Sequence, residues 1–195
     1  MLSKEANVLD LFFNYPKHWH FEDLLNESKL SRGRLNFWLS SLRKDRLIRR
    51  IKPKNKNPYY VGNVSDSSWQ VRKRMYALNS LYEKGLLSHL HSLGAQTVII
   101  FGSFSRWDWY DDSDIDIFIL GDPSRFEKGR FEKAFGREIH LFVAEDDNDL
   151  SRFPEGLLKN IADGFVVKGS AQVLCQKRYH SRKRLKNARQ KVSLD

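Results

Sequence analysis

Cysteine is nearly missing from this chain: Cys175 stands alone among 195 residues, which excludes an internal disulfide and a cysteine-rich zinc site. Long apolar runs are missing as well. The longest, such as residues 98–101, fall far short of the ~20 needed to cross a bilayer. The first residues carry Lys4, Glu5 and Asp10 with no apolar block between them, unlike a secretory leader. These features predict a cytoplasmic protein with no membrane partner. What is present, 41% apolar and 13% aromatic residues, predicts a folded protein with one medium core or two small ones.

Acidic residues are scarce at both ends and collected in the middle. Residues 1–62 hold 13 Lys or Arg against 6 Asp or Glu, and residues 176–195 hold 8 against 1. Residues 63–175 reverse the balance, with 13 against 17. A polyanion is therefore expected at the ends and cations in the middle. Basic ends also serve solubility, and that reading stays open.

The N-terminal block predicts three helices and a hairpin. Residues 5–15 place Leu9, Phe12 and Phe13 on one face and stop at Pro16. Residues 21–29 form a short second helix. Ser31 then caps a third, in which Leu35, Trp38, Leu39 and Leu42 face inward. Residues 46–52 and 59–61 read as two strands around a basic tip. This order resembles the winged helix-turn-helix family, and 11 basic residues stand against one acid, Asp45, between Lys29 and Gly62. The resemblance implies DNA as partner. Ser31, Arg32, Arg34, Asn36 and Arg43 would meet DNA from the third helix, and Arg49, Arg50, Lys52, Lys54 and Lys56 from the wing. A protein-interaction domain with the same helices, or an RNA-binding one, fits the pattern too.

After a loop, Val71, Met75, Leu78, Tyr82, Leu86 and Leu90 predict one long connector helix, its stripe packed on the second domain or forming a homodimer seam. Residues 97–101 then read as a buried strand. Gly102-Ser103 follows, and ten residues later Asp114-Ile115-Asp116 opens an apolar strand. Alternation sends both aspartates to one face, about 7 Å apart, and Ile115 and Ile117 to the core. Such a pair suits Mg²⁺ shared with phosphates. An EF-hand fails, because Ile117 occupies the glycine position and Pro123 that of the terminal glutamate. A solvated acidic turn explains Asp108, Asp111 and Asp112, but not acids alternating with isoleucines.

Gly-Ser, ten residues, then Asp-x-Asp on a strand resembles the polymerase-beta-like nucleotidyltransferase superfamily in its minimal form. The wider order is similar to archaeal proteins that join a winged helix to such a domain. The resemblance covers about residues 5–170. It implies an α+β chain with a small mixed sheet carrying helices on one side. It also implies an NTP substrate, two Mg²⁺ (or Mn²⁺) ions on Asp114 and Asp116, and phosphates at Gly102, Ser103 and Arg106. The expected domains are 1–63 (winged helix), 64–93 (connector), 94–172 (transferase) and 173–195 (basic tail or helix).

The third carboxylate of such a site belongs on a later strand. In residues 137–143 the alternation puts His140 there, with Glu138 two residues earlier on the same face as the provisional third ligand or base. A histidine suits Mn²⁺ or Zn²⁺ better than Mg²⁺. Trp107 stands where the family commonly has glycine. It and Trp109 are candidates for stacking on a base or for packing on the connector. The His18/His20 and His89/His91 pairs read as surface residues. Two functions follow as expectations. One is an enzyme moving a nucleoside monophosphate from NTP to a hydroxyl of protein, nucleic acid or small molecule. The other is a non-catalytic DNA-binding regulator or antitoxin-like protein, with a toxin-like protein as partner.

Overall fold

The computed structural model describes residues 4–174, so residues 175–195 of the predicted basic tail lie outside the described residues. The chain divides into two compact units. Among the described residues, one comprises 4–80 together with 107–112, the other 81–106 and 113–174.

In the first unit, α1 (Lys4–Asn14), α2 (Phe21–Ser28) and α3 (Arg32–Lys44) precede a hairpin of β1 (Ile48–Ile51) and β2 (Tyr59–Gly62). Ser31 takes extended backbone and its hydroxyl accepts from the Arg34 amide, which satisfies one of the free donors of α3. Leu9, Phe12 and Phe13 of α1 meet Leu24, Leu35, Leu39 and Leu42 in the core. Trp19 closes it from the side. Its backbone bridges Tyr60 of β2, and its ring stands edge-on to Phe12 at 6.3 Å. The hairpin is antiparallel and pairs Arg49 with Val61 and Arg50 with Tyr60.

The connector is two helices, α4 (Ser67–Glu83) and α5 (Leu86–Ser92). They part at Gly85, whose φ of 78° lies in the left-handed region that glycine enters without steric cost. The expected stripe is also divided. Leu86 and Leu90 are buried, but Val71, Met75 and Tyr82 point outward, and Trp69, Lys73, Ala77 and Leu81 form the inner face of α4 instead. Two apolar lines compete on this helix, and the one with Trp69 wins. Its ring packs on Phe13 at 4.8 Å, a larger apolar contact than a valine or a methionine offers.

Lys73 is the unexpected member of that inner face, buried at 3% exposure. Its Nζ lies over the rings of Trp109 and Tyr110 at 4.6 and 4.4 Å and donates to the Trp109 carbonyl. Cation–π contact and a charge-assisted hydrogen bond offset the loss of water. Residues 107–112 are thus part of the first unit, although their chain neighbours on both sides belong to the second.

The second unit is built on a four-stranded sheet in the order β5-β4-β3-β6. Its strands are β3 (Thr97–Phe101), β4 (Ile115–Leu120), β5 (Ile139–Ala144) and β6 (Phe165–Lys168). β3 is antiparallel to β4 and β6, and β4 runs parallel to β5, so the sheet is mixed. Ile99, Phe101, Phe118 and Leu120 join Leu150, Ile161 and Leu174 in one cluster, with Leu157 and Leu158 of α6 (Glu155–Ala162) against it. The alternate residues Val98, Ile100, Ile117 and Ile119 are equally inaccessible. Both faces of the central strands are therefore covered, where helices on one side were expected. The apolar runs at 98–101 in β3 and 117–120 in β4 are the pattern of strands buried on two faces. α7 (Gly102–Arg106), between β3 and β4, and α8 (Lys128–Phe135), before β5, complete the unit.

Candidate active site

The site grows from the junction of β3, β4 and β5. β3 ends at Phe101, paired with Asp116, and the chain turns at once into α7 through Gly102. Gly102 has φ of 72°, and a Cβ there would run into the carboxylate of Asp116. Only glycine lets the turn pass so close to an acid. α7 has just five residues, too short for an appreciable helix dipole. An anion at this turn would depend on the amides and hydroxyl of Gly102 and Ser103 themselves. Ser105, by contrast, uses its hydroxyl internally, donating to the Gly102 carbonyl at 3.0 Å.

The parallel pair β4–β5 brings the acids together. In its register Ile115 faces Ile139 and Asp116 faces His140, while the Ile115 amide donates to the Glu138 carbonyl at 3.0 Å. Asp114 and Glu138 consequently flank the start of the pair. His140 Nδ1 lies 3.7 Å from Asp114 Oδ2 and 3.4 Å from Asp116 Oδ1, and its Nε2 lies 3.6 Å from Glu138 Oε2. Asp114, Glu138 and His140 each offer one ligand atom within 4.8 Å of the others.

Burial grades these groups. The side chain of Asp116 is 23% exposed, that of Asp114 41% and that of Glu138 78%. Loss of water pushes the Asp116 carboxyl above the ordinary aspartate range. His140 and Arg106 pull the other way, and Asp114 adds to the rise. A partly desolvated carboxylate beside another carboxylate gains from any cation placed between them. The oxygen and imidazole donors grouped here therefore fit a divalent metal ion.

Arg137 belongs to no motif and was not expected at the site. Its guanidinium donates to the Ser113 carbonyl at 2.9 Å and lies over Phe104 at 5.8 Å, which ties the approach to Asp114 to α7. Its adjacency to Glu138 was the one signal available.

The remaining residues expected at a site fall into two groups. Arg106 acts electrostatically on Asp116, as noted, and Ser103 is half-buried beside Gly102. Trp109 is 2% exposed and packs with Tyr76 at 6.0 Å, so its ring is committed to α4 and is not presented to a base. Trp107 lies under the Arg74 guanidinium at 5.2 Å. In the first unit Ser31, Arg32, Arg34, Asn36 and Arg43 are exposed along α3, and Arg49, Arg50, Lys52, Lys54 and Lys56 along the hairpin. Arg32 pairs with Glu22 at 2.8 Å. Beside the hairpin tip opens a cleft of about 750 Å³ lined by His18, His20, Lys52, Asn55, Lys56 and Tyr59, with no acid in its wall.

Residues 90–168 match the family model described as Polymerase beta, Nucleotidyltransferase. The match contains all four strands of the mixed sheet and every acid of the cluster. No curated protein and no solved structure matches the chain. Among the described residues, no helix is long and apolar enough to cross a membrane.

Proposed function

We propose that the second unit transfers a nucleoside monophosphate from an NTP to an acceptor hydroxyl, and that the first is a DNA-binding winged helix fused to it. The observation that carries the first part is the approach of Asp114 and Asp116 to the same His140 nitrogen, with Asp116 set against the Gly102 turn, within a span that matches a nucleotidyltransferase family.

Asp114 and Asp116 are the carboxylates to hold a divalent ion, Mg²⁺ or Mn²⁺, whose charge offsets that of the α-phosphate oxygens. Gly102, without a side chain, lets phosphate oxygens approach the Gly102 and Ser103 amides. The Ser103 hydroxyl adds a donor, and Arg106 a positive charge near Asp116. The acceptor oxygen attacks the α-phosphorus in line. A new P–O bond forms as the bond to the β-phosphate's bridging oxygen breaks. Pyrophosphate departs, and the hydroxyl's proton is lost to solvent at the exposed rim.

The test is incorporation of label from α-labelled NTP into protein, nucleic acid or small-molecule acceptors, in Mg²⁺ and in Mn²⁺. Asp114→Asn should lower incorporation by at least about 10³-fold, since a ligand carboxylate is lost. Label incorporated equally by that variant rejects the reading.

His140 in place of a third acid favours one other reading, a non-catalytic regulator that binds DNA through the first unit and senses nucleotide through the second. It predicts no incorporation with any acceptor, together with DNA binding that survives Asp114→Asn. The exposed bases on α3 and the hairpin, and the acid-free cleft beside them, support the DNA-binding part of both readings. A gel-shift assay over a range of salt concentrations tests it.

A further inference from the structure

We infer that His140 is itself a metal ligand, through Nδ1, and that Glu138 positions its ring, so that the site selects an imidazole-accepting ion of the Mn²⁺ class over Mg²⁺. The inference rests on the nucleotidyl-transfer reading only for the ion's purpose. The ligand set stands on its own geometry.

Metal–ligand bonds of ~2.1 Å at right angles put neighbouring ligand atoms roughly 3 Å apart. His140 Nδ1 lies 3.4 Å from an Asp116 oxygen and 3.7 Å from an Asp114 oxygen, only slightly wider than that spacing. Both aspartates thus approach the same ring nitrogen. The strand register fixes this, because Asp116 and His140 are direct partners across a parallel pair.

The other edge of the ring completes the argument. A ligating histidine generally gives its second N–H to a carboxylate or carbonyl, which sets the tautomer and aims the free lone pair at the metal. Glu138 Oε2 stands 3.6 Å from Nε2, whereas both aspartates pair with Nδ1. One imidazole cannot turn both nitrogens to a single ion. The pairing with two partly buried acids at Nδ1, against one largely exposed acid at Nε2, decides which nitrogen binds. Glu138 is then a positioning residue and not a third ligand.

Imidazole changes the choice of ion. Mg²⁺ favours hard oxygen ligands and keeps its waters, whereas Mn²⁺ and later divalent ions accept nitrogen and bind mixed sites more tightly. Two carboxylates and one histidine carry one negative charge fewer than three carboxylates, which weakens the hold on Mg²⁺ further.

The test uses the full-length chain without nucleotide. Mn²⁺ binding is followed by loss of the free-ion paramagnetic resonance signal, Mg²⁺ by competition, and direct nitrogen ligation by spin-echo modulation from ¹⁴N. The wild type should bind Mn²⁺ at least about tenfold tighter than Mg²⁺ and show imidazole nitrogen coupling. His140→Ala should lose the coupling and most of the preference. His140→Asp should lose the coupling while gaining Mg²⁺ affinity, and its gain of function excludes misfolding as the cause. Glu138→Ala should weaken Mn²⁺ binding by about 10-fold or more, and Glu138→Gln should recover it, because an amide oxygen still accepts from Nε2.

Nitrogen coupling that persists in His140→Ala, or equal affinity of the wild type for the two ions, overturns the inference. A failure of Glu138→Gln to recover binding overturns the positioning role. Failure of nucleotidyl transfer is separately visible. Absent incorporation alongside intact ¹⁴N coupling would sink the enzyme and leave this ligand set standing. Transfer in Mg²⁺ without coupling would do the reverse.

Discussion

Asp116 and His140 are direct partners across the parallel β4–β5 pair, with His140 Nδ1 3.4 Å from an Asp116 oxygen. The histidine's attraction to Asp116 is outweighed by burial, so the carboxyl's affinity for a proton in the folded chain is higher than in the unfolded one. A raised acid disfavours folding wherever it must be ionised, and the penalty fades as pH falls through its folded-state pKa. In metal-free protein at neutral pH, Asp116→Asn should therefore raise the melting temperature, by about 1–3 °C. The gain should shrink as pH is lowered into the carboxylate range. Thermal melts across pH, with a chelator present, measure it. A loss of stability at neutral pH would show that the pairing with His140 outweighs burial.

Gly102 constrains the same carboxylate from the other side. Gly102→Ala asks alanine to hold φ of 72° and drives its methyl toward Asp116. The left-handed conformation alone costs roughly 1–2 kcal/mol, which corresponds to about 2–8 °C in a chain of this size. Metal affinity should fall along with stability, because the acid must move to admit the methyl group. Scanning fluorimetry with and without Mn²⁺ reads both. A variant with lowered stability and unchanged metal binding would separate the turn from the site.

Parts of this site were legible in the sequence because they depend on strand alternation alone. The β-branched runs at 97–101 and 115–120 lie in β3 and β4, and counting by twos along 137–143 puts His140 level with Asp116. The capping hydroxyl of Ser31 is legible for the same local reason. What stayed hidden depends on choices between distant surfaces. Nothing local tells α4 to bury Trp69 and Lys73 and leave Val71 and Met75 in water. That choice follows from the rings of Phe13, Trp109 and Tyr110, which come from elsewhere in the chain. The two covered faces of the sheet are written in the apolar runs at 98–101 and 117–120, which leave no polar face on the inner halves of β3 and β4.

Trp109 tests the assignment of residues 107–112 to the first unit. Its ring is buried over Lys73 and stacked with Tyr76. Trp109→Ala should cost about 3–5 kcal/mol through the cavity it leaves, and it would also strip a buried ammonium of one of its two π partners. Denaturant unfolding measures the loss. Nucleotide affinity, measured below the new midpoint, should change little. A large drop in affinity without loss of stability would return this tryptophan to the role of a base platform.

The exposed bases of the first unit make a prediction separable from folding. Lys54 and Lys56 lie at the hairpin tip, and Arg32 on α3 lies over the Phe21 ring at 5.6 Å and makes a surface pair with Glu22, worth at most about 1 kcal/mol. Substituting each by alanine should leave the melting temperature nearly unchanged. If the wing lysines meet phosphates, each replacement reduces the slope of log affinity against log salt by about 0.9, for any DNA sequence. Arg32→Ala should act differently if α3 reads bases, weakening a preferred site by about 1–3 kcal/mol and random DNA much less. Fluorescence anisotropy with both kinds of duplex, from low to moderate salt, distinguishes the roles. Salt slopes identical to wild type in all three variants would remove DNA from this face and leave the three helices and hairpin to a protein partner.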